Sequence, residues 1–205
     1  GSTLKPILYA AMMADGQILP NTLIPDIPTQ IGGYTPQNFD LGYDGAIPAS
    51  KALSRSLNIP AVKMLQQYKY ERFHQQLKKL GMTTLTKPAD FYGLSLILGG
   101  CETSMWELSG IYDSMARSLR PPNPLKGEST YHSPTYLPLK ETKGLITPPL
   151  GGRGAGAWAG ALFFTFQAMQ EVMRPGEELL WEQFSSSQKI AWKTGTSFGF
   201  RDGWA

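Results

Sequence analysis

The sequence predicts an α+β fold: a cluster of helices packed on a small antiparallel sheet. Three observations predict it. Apolar residues recur at helical spacing in six segments between residues 3 and 173. A hairpin pattern stands near the end, where Lys189 to Thr194 and Phe200 to Ala205 flank a Ser197-Phe198-Gly199 turn. A length of 205 residues with 41% hydrophobic content suffices for one domain with a sizeable core. An isolated two-stranded hairpin is marginal in water, so these strands call for further partners.

Each element has its own justification. Leu4, Ile7, Leu8 and Ala11 predict a buried helix over Thr3 to Ala14, stopped by Gly16, with Pro6 tolerated in the first turns. Residues 16 to 48 hold five prolines and several glycines, so they read as a long irregular excursion of the kind that walls a cleft. Ala49 to Leu57 is helical. Pro60 fits the first position of the next helix, with Val62, Leu65 and Tyr68 on one face. Tyr70 to Leu80 forms a further helix closed by Gly81. Ser104 and Glu107 make a capping-box pattern opening a helix through Met115 to about Leu119. Residues 120 to 154 are rich in Pro, Gly, Ser and Thr and read as a second long loop. Ala157 to Met173 is an apolar helix ended by Pro175-Gly176.

Composition excludes several function classes. The net charge of +3 comes without a Lys/Arg block or an aromatic-interleaved basic stripe, which argues against nucleic-acid binding. Cys101 is the single cysteine, so no internal disulfide forms, and it reads as a small buried apolar residue. With only two histidines beside it, no metal site is expected, and no cofactor motif is present. The longest apolar stretch, Ala155 to Ala168, is too short to span a bilayer and carries Gly156, Gly160, Thr165 and Gln167. No signal peptide is read within residues 1–205, and any export or anchoring signal of the parent protein is expected outside them.

Chemistry concentrates in three short motifs. Ser2 and Lys5 share one helix face, and a hydroxyl becomes a nucleophile only when a base takes its proton. Lys serves as that base when burial and a neighbouring cation, here Lys193, favour its neutral form. A start-of-helix position also offers free N–H groups to an oxyanion. Such a pattern arises about once by chance in a chain of this length, and Ser186 with Lys189 matches it too, in a polar loop. Ser56-Leu57-Asn58 offers a hydroxyl for proton relay and an amide for substrate, or else simply ends a helix. Lys193-Thr194-Gly195-Thr196 offers a cation and hydroxyls for a carboxylate, with Gly195 letting a backbone lie close, or else is a strand end with a glycine turn. The three motifs in this order match a combination used for acyl transfer through a serine ester.

On these residues the chain resembles the transpeptidase domain of the class A, bifunctional penicillin-binding proteins, most of all their type-1C branch. The segments that carry the resemblance are 1–6, 43–45, 49–62, 92–100 and 189–204. The resemblance implies that Ser2 attacks the D-Ala-D-Ala bond of a peptidoglycan stem peptide while Lys5 accepts its proton. It implies that Ser56 relays a proton to the leaving group and Asn58 holds the substrate amide. Lys193 would lend charge, Thr194 and Thr196 would bind the terminal carboxylate beside Gly195, and the N–H groups of Ser2 and Thr196 would form the oxyanion hole. β-Lactams would acylate Ser2, and no metal or cofactor is implied.

The resemblance also implies a helical cluster on an antiparallel sheet whose flanking strands lie beyond both ends of this chain. Residues 1–205 are then expected to be a single, partial transpeptidase domain with exposed hairpin edges, poorly stable and weakly active alone. The parent protein is expected to carry an N-terminal glycosyltransferase module and to sit at the extracytoplasmic, periplasmic face of the bacterial inner membrane. Three alternatives stand beside this, one of them a D,D-carboxypeptidase in which water rather than an amine attacks the ester. A serine β-lactamase would need a base on a deacylating water, and no Glu-x-x-x-Asn pattern follows Asn58. An inactive scaffolding module would tolerate loss of motif residues, yet all are intact.

Overall fold

A helix apolar on every face belongs inside a core. The computed structural model, which describes residues 1–119, 154–171, 190–196 and 203–205, places the opening helix there. The chain starts as a 3₁₀ turn over Ser2–Leu4 and continues as α1, Lys5–Ala14, buried without interruption from Lys5 to Met12. Pro6 falls at the second helical position, where an N–H has no intrahelical acceptor. Gly16, at φ +70°, closes the helix as its position suggests, its N–H donating to Met13 O at 2.9 Å.

Three helices surround α1: α2, Ala49–Ser54; α3, Asn58–Tyr68; and, lower in the chain, the apolar helix Gly154–Gln170. Leu8, Leu53, Val62, Leu65 and Leu162 meet in the resulting core. The helix α4, Tyr70–Lys79, follows α3 across Lys69 (φ +77°) and ends before Gly81 as expected. Its Phe73 and Leu77 complete this side of the core.

The excursion over residues 16 to 48 is not wholly irregular. β1, Leu23–Asp26, pairs antiparallel with β2, Gly45–Pro48, Ile24 facing Ile47 across the ladder. Pro25 and Pro48 hid these strands, because proline cannot donate to a ladder. They fit here because the sheet has only two strands among the described residues, so each strand is an edge.

The helix read over Ala49 to Leu57 ends three residues earlier. Ser56 takes a left-handed φ of +56° and Leu57 is extended, and α3 then begins at Asn58 rather than at Pro60. A short helix α5, Ala89–Tyr92, and a 3₁₀ segment, Gly93–Leu98, carry Leu96 and Ile97 into the core. These two elements have no periodic signature in the sequence. The next helix, α6, spans Met105–Arg117. Ser104 Oγ accepts the Glu107 N–H at 3.1 Å, one half of the capping box. The Glu107 carboxylate reaches back to the Ser104 backbone, and it also accepts from Thr83 N at 3.0 Å and from the Thr83 and Thr103 hydroxyls. That ties α6 to the loop after α4, and these donors hold the Glu107 carboxyl below its usual range against the opposing effect of burial.

The helix read over Ala157 to Met173 is α7, Gly154–Gln170. The terminal hairpin is shorter than its sequence pattern. Residues 190–194 are not in a strand; β3 is Gly195–Thr196 and pairs antiparallel with β4, Gly203–Trp204. No third strand among the described residues flanks this ladder. The Trp192 N–H turns to Met169 O of α7 at 3.4 Å. The loop read over 120 to 154 falls outside the described residues except for Gly154, which opens α7. The Ser197–Gly199 turn, Met173, Pro175-Gly176 and the Ser186/Lys189 pair also lie outside them. The architecture is α+β, and no described helix is long and apolar enough to cross a membrane.

Candidate active site

A lysine on the first turn of a core helix needs acceptors if its ammonium is to be buried. Lys5 is 2% exposed and has three. Its Nζ donates to Ser56 O at 2.8 Å, Leu57 O at 3.1 Å and Asn58 Oδ1 at 2.8 Å. The break between α2 and α3 supplies them. The left-handed Ser56 and extended Leu57 take two carbonyls out of any helical ladder and aim them at the amine. A non-glycine residue in that region stores about 1–3 kcal/mol of strain, a cost the surrounding packing must hold.

Lys193 reaches the same connection from the other side. Only 5% exposed, its Nζ donates to Ser56 Oγ at 2.7 Å and to Thr194 O at 2.6 Å. Ser56 therefore stands between two amines, its carbonyl on Lys5 and its hydroxyl on Lys193. Burial, and second the charge of Lys193, push the Lys5 pKa well below the ordinary lysine value. Burial lowers Lys193 to about 8. The three acceptors on Lys5 are the counterweight, since they favour the ammonium. A neutral amine has two N–H groups, so one of the three bonds must open when Lys5 takes up a proton-accepting state.

Burial alternates along residues 193–196: Lys193 and Gly195 are buried, Thr194 and Thr196 exposed. The buried pair faces the site and the two threonines share the solvent side. Gly195 is required by contact. A Cβ there would lie 2.9 Å from Thr3 Cγ2 and 3.0 Å from Ser2 N, so β3 lies directly on the turn that carries Ser2. Gly99, left-handed at φ +107°, presses on the same turn; its Cβ would meet Gly1 N at 2.7 Å. Ser2 itself is half-buried, and its hydroxyl makes no hydrogen bond among the described residues.

Of the eight residues singled out by motif, Lys5, Ser56, Asn58 and Lys193 are joined by hydrogen bonds. Ser2 and Gly195 adjoin through backbone contact. Thr194 meets the cluster through its carbonyl, and the Thr196 backbone lies against Gly1. Asn58 is used at both ends of its amide, since Nδ2 donates to Gln37 O at 2.8 Å. Two residues outside the motifs also act here. The Tyr112 hydroxyl of α6 donates to Thr3 O at 2.7 Å and pins the Ser2 turn; burial raises its pKa. Asn38, in the loop between β1 and β2, reaches the start of α3. Only the buried contact distinguishes Tyr112 from any other helical tyrosine, and that is invisible in a sequence.

Known proteins are similar to this chain in sequence and in fold. Penicillin-binding protein 1C of Escherichia coli (strain K12) is 34% identical over 205 residues, 100% of this chain and 24% of that protein. Penicillin-binding protein 1A of Neisseria cinerea is 26% identical over 213 residues, again 100% of this chain and 25% of that protein. The chain thus spans about a quarter of the length of these relatives. The apo TP domain of Burkholderia pseudomallei penicillin-binding protein 3 shares the fold at a TM-score of 0.60 and 16% identity, over 85% of this chain and 53% of that chain. A family model described as "Penicillin binding protein transpeptidase domain" matches residues 1–116. The chain belongs to the penicillin-binding protein transpeptidase domain family.

Proposed function

We propose that this chain is part of a peptidoglycan D,D-transpeptidase working through a serine acyl-enzyme. The observation that carries the proposal is Ser56 held between two buried amines, Lys5 and Lys193, at the foot of the turn bearing Ser2. Ser2 Oγ attacks the carbonyl of the penultimate D-Ala and Lys5 Nζ takes its proton. The tetrahedral oxyanion is met by the N–H groups of Ser2 and Thr196. Collapse breaks the peptide bond, the departing D-Ala amine receives a proton through Ser56 Oγ, and the acyl group remains as an ester on Ser2. An amine of a second stem peptide attacks the ester, forms the cross-link and returns the proton to Ser2 Oγ. Asn58 holds the substrate amide, while Lys193 with Thr194 and Thr196, along the open edge at Gly195, binds the terminal carboxylate. β-Lactams acylate Ser2 as mimics of the same substrate.

Residues 1–205 are then one portion of a transpeptidase domain. The parent protein carries an N-terminal glycosyltransferase module and works on the extracytoplasmic face of the bacterial inner membrane, periplasmic where an outer membrane exists. The likeness to penicillin-binding proteins 1C and 1A, and the quarter of their length this chain spans, support that placement. The test is labelling of the full-length protein by a fluorescent penicillin, with Ser2→Ala as control and intact mass as readout. A stable, Ser2-dependent adduct is expected. Rapid turnover of the drug would instead identify a β-lactamase, and absence of any Ser2-dependent adduct an inactive module.

A further inference from the structure

The amide of Asn38 is the best-satisfied polar side chain near the site, and none of the three motifs contains it. It is 2% exposed. Its Nδ2 donates to Asp26 Oδ1 at 2.8 Å and to Gly42 O at 3.0 Å. Its Oδ1 accepts from the N–H groups of Asn58 at 2.9 Å and Ile59 at 3.2 Å. All four hydrogen-bonding positions are used, two donors on one side and two lone pairs on the other. A carboxylate and a carbonyl face the nitrogen and two N–H groups face the oxygen, so only one orientation of the amide fits.

Asn58 and Ile59 open α3, whose first N–H groups have no acceptor within the helix. Leu57, at the N-cap position, provides no side-chain cap. Asn38 supplies that cap from the β1–β2 loop. Its neighbour Gln37 accepts from Asn58 Nδ2 at 2.8 Å, so the loop grips Asn58 by backbone and side chain together. Behind Asn38 stands Asp26, 1% exposed, whose second oxygen accepts from Asp44 N at 3.0 Å. A relay of contacts thus runs from the β1 carboxylate through Asn38 to the start of α3, and from there to the three acceptors of Lys5.

We propose that Asn38 is a positioning residue for acylation: it holds Asn58 and the Ser56–Leu57 carbonyls where Lys5 bonds them, and so fixes the base beside Ser2. This rests on the transpeptidase proposal. The test reads acylation of the full-length protein by a fluorescent penicillin at saturating drug. The rate constant is separated from the amplitude, because unfolded molecules lower only the amplitude. Asn38→Ala is expected to slow acylation by on the order of 100-fold, the scale of a roughly 1 Å misplacement. Ser104→Ala removes an ordinary cap from α6 and is expected to lower the melting temperature with the rate constant unchanged. Asn38→Asp alone sets two carboxylates against each other. The exchange Asp26→Asn with Asn38→Asp restores a donor facing an acceptor between the two side chains, though Gly42 O loses its donor, and is expected to recover part of the rate lost in Asn38→Asp. Should Asn38→Ala fail to fold, Asn38→Ser, which keeps one acceptor, carries the same reading. An unchanged rate constant in a folded Asn38 variant overturns the proposal, as does a folded exchange variant no faster than Asn38→Asp. If the unsubstituted protein forms no Ser2-dependent adduct, the transpeptidase proposal itself falls; if it labels and the Asn38 variants label equally fast, only the positioning role falls.

Discussion

The two sides of this site are held by different physics. On the α1–α3 side, position is set by a buried polar network: Lys5 on three acceptors, with Asn38 capping α3 behind them. On the β3 side, position is set by backbone contact. Gly195 lies on Ser2 and Thr3 without a side chain between them, and the strand is two residues long. A polar network fails when one partner is removed, because the others are left buried and unsatisfied. A backbone contact fails when something is added. Substitutions that subtract on one side and add on the other therefore separate the two.

The largest loss is expected from Lys5→Met. It keeps the length of the side chain, removes the proposed base, and leaves Asn58 Oδ1 and two carbonyls without their donor. Acylation by a fluorescent penicillin should fall by about 10²–10⁴-fold, the range of general-base catalysis. A rate within tenfold of the unsubstituted protein would remove Lys5 from that role. The added-atom counterpart is Gly195→Ala. Its Cβ would fall 2.9 Å from Thr3 Cγ2 and 3.0 Å from Ser2 N, so β3 must shift. Acylation should drop by roughly 10–100-fold, with little change in melting temperature because α1 and its helical neighbours are untouched. A melting temperature that falls together with the rate would show that β3 is part of the core.

Tyr112→Phe is a milder subtraction on the same turn. It deletes the hydroxyl that donates to Thr3 O and leaves that carbonyl unsatisfied, at a cost of about 1–3 kcal/mol. Thermal denaturation should report the loss, while acylation slows less than for Gly195→Ala, since β3 still clamps the turn. Equal rates for Tyr112→Phe and Gly195→Ala would show that turn and strand move as one.

How much of this was legible in the sequence follows the range of each interaction. Local signals read well: Gly16 and Gly81 stop their helices, and Ser104 caps α6. The motif order directs attention to Lys5, Ser56, Asn58 and Lys193, which the fold joins by hydrogen bonds. The left-handed Ser56 was not legible, since helical periodicity runs through it to Leu57 and only tertiary contacts favour a break. Nor was the β1–β2 ladder, written with prolines. Asn38 looks like one more loop polar residue, because its partners lie twelve and twenty residues away along the chain. The 190–194 segment errs the other way: its strand propensity is real, but a ladder needs a neighbour, and none of the described residues supplies one.

The smallest effect is the most discriminating about charge. Burial lowers Lys193 to about 8, so its ammonium is intact well below that pH and is lost as pH rises through it. If Lys193 serves the substrate carboxylate, acylation at limiting penicillin should fall to about half at pH 8 and decline about tenfold per unit beyond. Lys5 acts with the opposite sign. Its lowered pKa makes the neutral, proton-accepting amine available at lower pH than an ordinary lysine allows, and acylation falls on the acid side as that amine protonates. The two limbs belong to the two sides of the site, which lets one titration address both. Lys193→Arg keeps a charge that does not titrate, so it should remove the alkaline limb and leave the acid limb in place. Lys193 is already charged across the acid limb, so an acid limb that moves in Lys193→Arg would show that the substitution displaces the Lys5 network, and that strand and network are held as one. An alkaline limb that survives the substitution would assign it to another group.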